Sequence, residues 1–193
     1  MGVVTLETNT ETGKPYGLLI DDFEAYFADN QSMIARDLKI NFKRLLEDSS
    51  LSREEATLAT LALARSLDFR EIAQSARTTL VREGLDAAQI QEAEESAAIM
   101  GMLNTYYRFR HFVDEKHEGE PYGPAKLRMQ SLGNPQLGKE RFEMLAFAVS
   151  IINGCEKCVT SHEKALQGLG VENEKLHDLA RLAATLKGLR SLA

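Results

Sequence analysis

Three things are scarce in this sequence: cysteine, positive charge and long apolar runs. Only two of the 193 residues are cysteine, and basic residues are outnumbered by acidic ones, 23 to 29, which gives a net charge of −6. A nucleic-acid-binding protein needs a basic face, so the acidic balance argues against that function. No apolar run approaches the roughly 18 residues of a membrane-spanning helix, which argues against a membrane protein. The composition, 44% hydrophobic and 27% charged, is that of an ordinary globular domain.

The N-terminus also lacks the features of a targeting segment. Residues 1–6 have neither the basic region nor the apolar core of an export signal. Leu6 stands where a myristoylation signal needs serine or threonine. We therefore expect a cytoplasmic protein. In a reducing cytoplasm, two closely spaced cysteines are more often catalytic or metal-binding than structural.

The pattern of apolar residues predicts an all-α fold, because no stretch shows the alternation that is typical of a β-strand. Residues 1–18 are polar and rich in turn residues, which predicts an extended arm, and residues 19–193 are expected to form one helical domain. The predicted helices lie near residues 20–30, 32–48, 52–67, 68–84, 87–113, 125–131, 138–152, 155–168 and 173–190. Ser52 and Glu55 have the spacing of a capping box, and Asp68 is expected to open the next helix.

A weak internal repeat relates two halves of the chain, about 48–113 and 134–190. A shift of about 86 residues aligns Leu51 with Leu137 and Gly84 with Gly170, without a gap. A duplicated helical unit explains why glycines and predicted helix starts coincide. The first copy has Thr57, Phe69, Ile72 and Ala76 where the second has Glu143, Cys155, Cys158 and His162. The repeat therefore predicts one half for packing and one half that carries a site.

Both cysteines belong to a four-residue pattern, E-x11-C-x-x-C-x3-H, formed by Glu143, Cys155, Cys158 and His162. An Asn-Gly pair ends the helix that carries Glu143. Cys155 begins the next helix, where unpaired backbone N–H groups and the helix dipole stabilise a thiolate. Cys158 and His162 follow on the same helix face, so the imidazole can take a thiol proton. Glu143 can reach across the hairpin to orient the imidazole or to pass a proton.

The same residues leave two other interpretations open. The four side chains could bind zinc, although the second pair of ligands lacks the close spacing of common zinc hairpins. A chain with this much helix and apolar content also has no need of a metal to fold. The two cysteines could alternatively serve dithiol–disulfide exchange with a partner.

The remaining candidate residues are interpreted as structural or solvated. Lys157, between the cysteines, is expected in solvent, where its charge would still favour a thiolate. Three histidines have no comparable spacing and are interpreted as structural or surface residues: His111, His117 and His177. A stripe at helical spacing is interpreted as core: Met100, Met102, Tyr106, Tyr107 and Phe109.

Longer runs around these residues resemble one known family. They are the stretch 147–155, FAVSIINGC, with Cys158 and His162 after it, and the stretch 97–104, AAIMGMLN, with Tyr107 and Arg108 after it. Residues 127–129 and 134–135 also match. Over roughly residues 32–190 the sequence resembles the alkyl hydroperoxidase D (AhpD) family, within the wider carboxymuconolactone decarboxylase-like superfamily.

The resemblance implies an all-helical homotrimer that reduces organic hydroperoxides through its thiols. It implies that Cys158 attacks the peroxide and becomes a sulfenic acid, that Cys155 resolves it to a disulfide, and that Glu143 and His162 relay protons. It further implies electrons from dihydrolipoyl groups on a dehydrogenase-complex component, with no bound cofactor or metal. The sequence departs from some members of the family at Lys157, where they carry a histidine.

Overall fold

The computed structural model describes residues 17–114 and 122–193 of the chain. Within these ranges the chain forms α-helices joined by short turns and contains no β-strand, which confirms the predicted all-α fold. The helices span Gly17–Tyr26 (α1), Met33–Glu47 (α2), Arg53–Ser66 (α3), Arg70–Arg82 (α4), Ala87–Asp114 (α5), Lys139–Asn153 (α6), Glu156–Gly168 (α7) and Asn173–Arg190 (α8). None of these described helices has the length and apolar content that would let it cross a membrane.

Helices α3 and α6 form the centre of the molecule. Every residue from 56 to 64 in α3 is buried, as is every residue from 144 to 150 in α6. A helix that is apolar on all sides is stable in water only when other helices surround it. Accordingly, α3 packs against α4, α5, α6 and α8, and α6 packs against α5, α7 and α8 as well. The core therefore lies between two central helices, with the others arranged around them.

The helices repeat along the chain with a constant offset. Helices α6, α7 and α8 each begin 86 residues after α3, α4 and α5, respectively. The turns repeat as well, because Gly84 and Gly170 have φ angles of 82° and 85°, and Asp68 and Gly154 have φ angles of 51° and 63°. The two halves thus share helix starts and left-handed turn residues, as two related helical halves should.

Equivalent carboxylates tie each half to the other. On α8, Asp178 accepts hydrogen bonds at 2.8 Å from the backbone N–H and the hydroxyl of Ser50, just before α3. On α5, Glu92 accepts a hydrogen bond at 2.7 Å from the backbone N–H of Leu137, just before α6. Burial alone would raise the pKa of Asp178. Hydrogen bonds from Ser50 and Arg181 lower the pKa by more than burial raises it, so the net pKa lies below the ordinary value.

The start of α3 confirms the predicted capping box. The Ser52 hydroxyl accepts from the Glu55 N–H at 3.3 Å, and the Glu55 carboxylate accepts from the Ser52 N–H at 2.7 Å. The expectation for Asp68 was wrong. Asp68 lies in the left-handed region, Phe69 precedes the first turn of α4, and no side chain caps that helix. A sharp turn between two tightly packed helices needs a left-handed residue, and that conformation is incompatible with an N-cap.

A second prediction was also wrong: residues 125–131 do not form an α-helix. Only a 3₁₀ turn forms there, over Gln130–Gly133. Lys126 has a φ angle of 50°, and a left-handed residue cannot continue a right-handed helix. The predicted arm lies almost wholly outside the described residues, and α1 already begins at Gly17. His117 and most of the loop around it also lie outside them.

Candidate active site

The turn between α6 and α7 places the two cysteines. Helix α6 ends at Asn153, and Gly154 adopts the left-handed conformation that closes the helix. The next residue, Cys155, is the N-cap of α7, and its N–H donates to the carbonyl of Ser150 at 3.2 Å. The Cys158 N–H donates to the Cys155 carbonyl at 3.0 Å. Glycine at this turn avoids the steric cost that a side chain would bring at positive φ. The chain can therefore turn sharply after α6 and begin α7 at the first cysteine.

Cys155 and Cys158 are joined by a disulfide bond, with their Cα atoms 5.2 Å apart. Both are buried, but unequally: 1% of Cys155 and 7% of Cys158 is exposed to solvent. This distance lies within the range that a disulfide requires, so two cysteines three residues apart at the start of a helix can be joined directly. The structure therefore shows the oxidised form of a dithiol pair.

His162 and Glu143 face each other across the α6–α7 hairpin. The distance between His162 Nδ1 and Glu143 Oε2 is 2.7 Å, and about a fifth of each side chain is exposed, 20% and 21%. A carboxylate only accepts hydrogen bonds, so Nδ1 carries the proton and Nε2 is the basic nitrogen. Glu143 therefore orients the imidazole and fixes its tautomer.

A cleft of about 250 Å³ lies beside this pair. Its walls come from α5, the segment around the 3₁₀ turn, and α7: Leu103, Asn104, Tyr107, Met129, Leu132, Lys157, Cys158, Ser161 and His162. Cys158 and His162 line the same cleft, whereas Cys155 does not line it. A molecule in this cleft therefore contacts Cys158 and not Cys155.

The interpretation of the stripe on α5 as core was right for Met100, which is buried in the core, and wrong for Met102 and Phe109, which are exposed. Tyr107 packs against the core and also lines the cleft, and Tyr106 is half-buried. Helical spacing alone does not distinguish a core wall from a cleft wall, because both lie on an inward helix face.

The other predicted candidates lie outside this cluster or at its rim. Lys157 is exposed at the rim of the cleft. His177 is exposed on α8, and His111 lies on α5, with 3.8 Å between its Nε2 and Oε2 of Glu156. In the described parts of the chain, no group of three or more His, Cys, Asp or Glu side chains is arranged to hold a metal ion.

A buried polar network behind the cysteines was missed by sequence reasoning. The side-chain amide of Asn104 donates to Ser150 Oγ at 2.9 Å, and its carbonyl oxygen accepts from Asn153 Nδ2 at 2.9 Å. Arg108 donates to the backbone carbonyl of Asn153. A lone asparagine on the inward face of an apolar helix was the available signal, since buried polar side chains need partners.

Comparison with known proteins places the same residues in a family. The sequence model of the Carboxymuconolactone decarboxylase family matches residues 122–192, which include both cysteines, Glu143 and His162. "Alkyl hydroperoxide reductase AhpD" of Anaeromyxobacter dehalogenans strain 2CP-C is 40% identical over 155 residues, covering 79% of this chain and 80% of the relative.

Two further relatives carry the same printed name. The protein of Rhizorhabdus wittichii is 35% identical over 161 residues, covering 83% of this chain and 91% of the relative. The protein of Mycobacteroides abscessus is 38% identical over 159 residues, covering 80% and 86%. With its all-α fold, its cysteine pair beside a His–Glu pair, and these similarities over most of its length, the chain belongs to the AhpD family.

Proposed function

We propose that this protein is an alkyl hydroperoxide reductase, a peroxidase that uses Cys158 as the nucleophile and Cys155 as the resolving thiol. The observation that carries the proposal is the arrangement in the cleft: Cys158 lines it together with His162, and Glu143 holds that imidazole at 2.7 Å. In this proposal Cys158 is the nucleophile, His162 is the base and Glu143 is the carboxylate that orients the base. Such a set of groups activates a thiol.

The reaction begins from the reduced pair. His162 accepts the proton of Cys158, and the thiolate attacks the outer oxygen of the hydroperoxide. An S–O bond forms, the O–O bond breaks, and the sulfur is oxidised by two electrons to a sulfenic acid. The departing alkoxide takes the proton from His162 and leaves as the alcohol.

The second step closes the disulfide seen in the structure. Cys155 attacks the sulfur of the Cys158 sulfenic acid, the S–O bond breaks, and hydroxide leaves as water with the proton that Cys155 releases. The Cα atoms of the two residues already lie 5.2 Å apart, so this step needs no rearrangement of the fold. The net reaction converts two thiols and one hydroperoxide into a disulfide, an alcohol and water.

The walls of the cleft favour an organic hydroperoxide over a purely polar one. Leu103, Tyr107, Met129 and Leu132 provide an apolar lining near Cys158. The volume of about 250 Å³ is below the roughly 300–1,000 Å³ of sites for drug-sized ligands. A small alkyl or aryl hydroperoxide fits this space with its peroxide group toward the sulfur.

The cycle is completed by a dithiol partner rather than by a bound cofactor. A partner thiolate attacks one sulfur of the disulfide, and the partner's second thiol releases both cysteines in the reduced form. A dihydrolipoyl group on a dehydrogenase-complex component suits this step, because it is a dithiol on a slender arm that a narrow cleft admits. The need for a supply of reduced dithiol also favours a cytoplasmic location.

The outer face of α5 supports assembly into a homotrimer. Met102, Phe109 and Phe112 are 38%, 42% and 57% exposed and recur at helical spacing on one side of the helix. Contiguous exposed apolar surface of this kind marks an interaction site. The opposite side of α5 lines the cleft, so assembly on this face would brace the cleft wall. Phe109→Glu should lower the mass measured by sedimentation, whereas Val81→Glu, at an exposed site on α4, should leave it unchanged.

Stopped-flow oxidation of the reduced protein tests the peroxidase proposal. Cys158→Ser should abolish peroxide consumption and form no sulfenic acid. Cys155→Ser should consume one equivalent and leave a sulfenic acid that a dimedone probe traps on Cys158. Labelling of Cys155 in the Cys158→Ser protein would reverse the two roles.

The same measurements separate the alternatives. In a dithiol–disulfide exchange protein, a partner disulfide would oxidise the reduced pair faster than any organic hydroperoxide. In a zinc-stabilised helical module, elemental analysis of the reduced protein would find stoichiometric zinc. We expect faster oxidation by hydroperoxide and no stoichiometric metal.

A further inference from the structure

Asn104 is a buried amide in the wall of the cleft, and the proposed peroxidase reaction does not yet use it. Only 1% of the residue is exposed, and it lines the cleft together with Cys158 and His162. We propose that Asn104 is a catalytic hydrogen-bond donor to the oxygen that leaves when the peroxide bond breaks, an inference that rests on the proposed peroxidase activity.

The contacts of Asn104 use one of its two N–H groups and one lone pair of its oxygen. Its oxygen accepts from Asn153, and one of its two amide hydrogens is used on Ser150, each contact at 2.9 Å. Among the residues that the structure describes, no acceptor is found for the second N–H. A buried donor without an acceptor is costly, so a ligand oxygen in the cleft that accepts from it is stabilised there.

The chemistry of the first step provides such an oxygen. While the Cys158 thiolate forms the new S–O bond, negative charge builds on the second peroxide oxygen until it leaves as alkoxide. A fixed N–H group directed at a developing charge lowers the barrier, because no reorganisation is needed at the moment of reaction. Asn104 keeps its proton throughout, and the proton that neutralises the alkoxide comes from His162.

A purely structural role makes a different prediction. Asn104 also holds Asn153, which precedes the turn to Cys155, so its loss could displace the cysteines. Displacement would slow the attack on every peroxide to a similar degree. Loss of a donor to the leaving oxygen would slow only reactions with a strongly basic leaving group.

The deciding experiment compares two oxidants. Tert-butyl hydroperoxide releases a strongly basic alkoxide, whereas peracetic acid releases a weakly basic carboxylate that needs little stabilisation. Asn104→Leu keeps the approximate volume and removes the donor. Its second-order rate with tert-butyl hydroperoxide should fall by about 10²–10³-fold, the range for one lost donor to a developing oxyanion. Its rate with peracetic acid should fall by less than a tenth of that factor.

Two further variants complete the test. Gln91→Leu makes the same amide-to-leucine change at an exposed site on α5, outside the cleft, and should leave both rates unchanged. Asn104→Ala removes the same donor without adding bulk or charge, and it should show the same selective loss, so it serves as the second variant if the leucine variant folds poorly. Equal losses with both oxidants, or no loss, would overturn the role of Asn104. An inactive wild-type protein would instead overturn the peroxidase proposal itself.

Discussion

The hairpins α3–α4 and α6–α7 have the same frame and different contents. Each begins its second helix after a left-handed residue, and their helices start 86 residues apart. At four corresponding positions the first hairpin has Thr57, Phe69, Ile72 and Ala76, and the second has Glu143, Cys155, Cys158 and His162. The first four are all at most 1% exposed, whereas the side chains of Glu143 and His162 are about a fifth exposed and His162 lines the cleft. The comparison indicates that the two hairpins share one backbone geometry. They differ in four side chains and in the neighbouring cleft, and these differences separate a packing role from the proposed chemical role.

Buried polar residues in the two hairpins find their hydrogen-bond partners in different ways. Thr57 is fully buried, and its hydroxyl donates to the Arg53 carbonyl of its own helix at 2.8 Å. Glu143 stands at the equivalent position but cannot be satisfied by its own helix, because a carboxylate needs a donor. Its partner is His162, on the other helix of the hairpin. The pair that we propose to be catalytic is thus also the pair that makes a mostly buried carboxylate tolerable.

The largest expected effect comes from removing the imidazole that distinguishes the second hairpin. His162→Phe should keep the fold and slow peroxide reduction by about 10²–10⁴-fold, as expected for one lost acid–base group. Glu143→Gln should slow it less, because the imidazole remains and loses only its orientation. His177→Phe, the same change at an exposed site on α8, is the control. Unchanged rates in both site variants would leave the thiol activated by the helix terminus and Lys157 alone.

A substitution at the corresponding position of the first hairpin should lower stability and leave activity unchanged. Ile72 is 1% exposed and corresponds to Cys158. Ile72→Ala should lower the free energy of unfolding by about 2–5 kcal/mol in urea titrations, because it leaves a cavity in the core. The peroxide rate of the folded protein should not change. The control Val81→Ala, on the exposed face of α4, should change stability by about 0.5 kcal/mol at most.

A loss of activity in Ile72→Ala without a loss of stability would mean that the first hairpin is part of the site. Equal loss of both would mean that packing in one half is transmitted to the other. Either result would replace the division between a packing half and a catalytic half.

Asp178, one of the carboxylates that join the halves, should make a contribution to stability that depends on pH. The net pKa of Asp178 is lowered in the folded protein, so its contribution to stability is present above the unfolded-state value near 3.8 and is lost as pH falls through the lower folded value. Asp178→Asn should cost about 1–3 kcal/mol at neutral pH, and this difference should shrink in acid. Glu92→Gln should cost less, since Glu92 accepts one hydrogen bond in the described residues. A pH-independent difference for Asp178→Asn, against Asp37→Asn as exposed control, would contradict the assignment.

The smallest effect is expected at the rim of the cleft. Lys157 is exposed, and solvent screens its charge, so Lys157→Ala should reduce the thiolate absorbance and the rate by about fivefold at most. Lys157→His should raise the rate if a second imidazole beside Cys158 improves proton transfer. Lys164→Ala, on the exposed side of α7, provides the baseline. Identical rates in all four proteins would make Lys157 a bystander.

The site was predictable from sequence where its contacts are local. Cys155, Cys158 and His162 lie on one helix, so their spacing alone predicts a shared face, and the short hairpin explains why Glu143 could be placed beside them. Asn104 contacts Ser150 across 46 positions of chain, and no local pattern encodes that contact. Local spacing likewise assigned Tyr107 to the core, and it could not show that this residue also lines the cleft.

The fold was predictable to a similar depth. Helix periodicity and the capping box gave the long elements, because these depend on neighbours along the chain. The segment 125–131 was misassigned because its composition suits a helix, although Lys126 adopts a left-handed conformation within it. The left-handed Lys126 carries no local signal, unlike Gly154.

The one-turn separation of Cys155 and Cys158 also decides how the protein fares when peroxide is abundant. A sulfenic acid that waits for its resolving thiol can meet a second peroxide and become a sulfinic acid, which ordinary thiols do not reverse. Cys155, the proposed resolving thiol, lies within the same helical turn as Cys158, so the vulnerable state of the proposed reaction should be short-lived. The protein should therefore keep cycling through an oxidant burst, with turnover limited by how quickly reductant returns and not by self-inactivation.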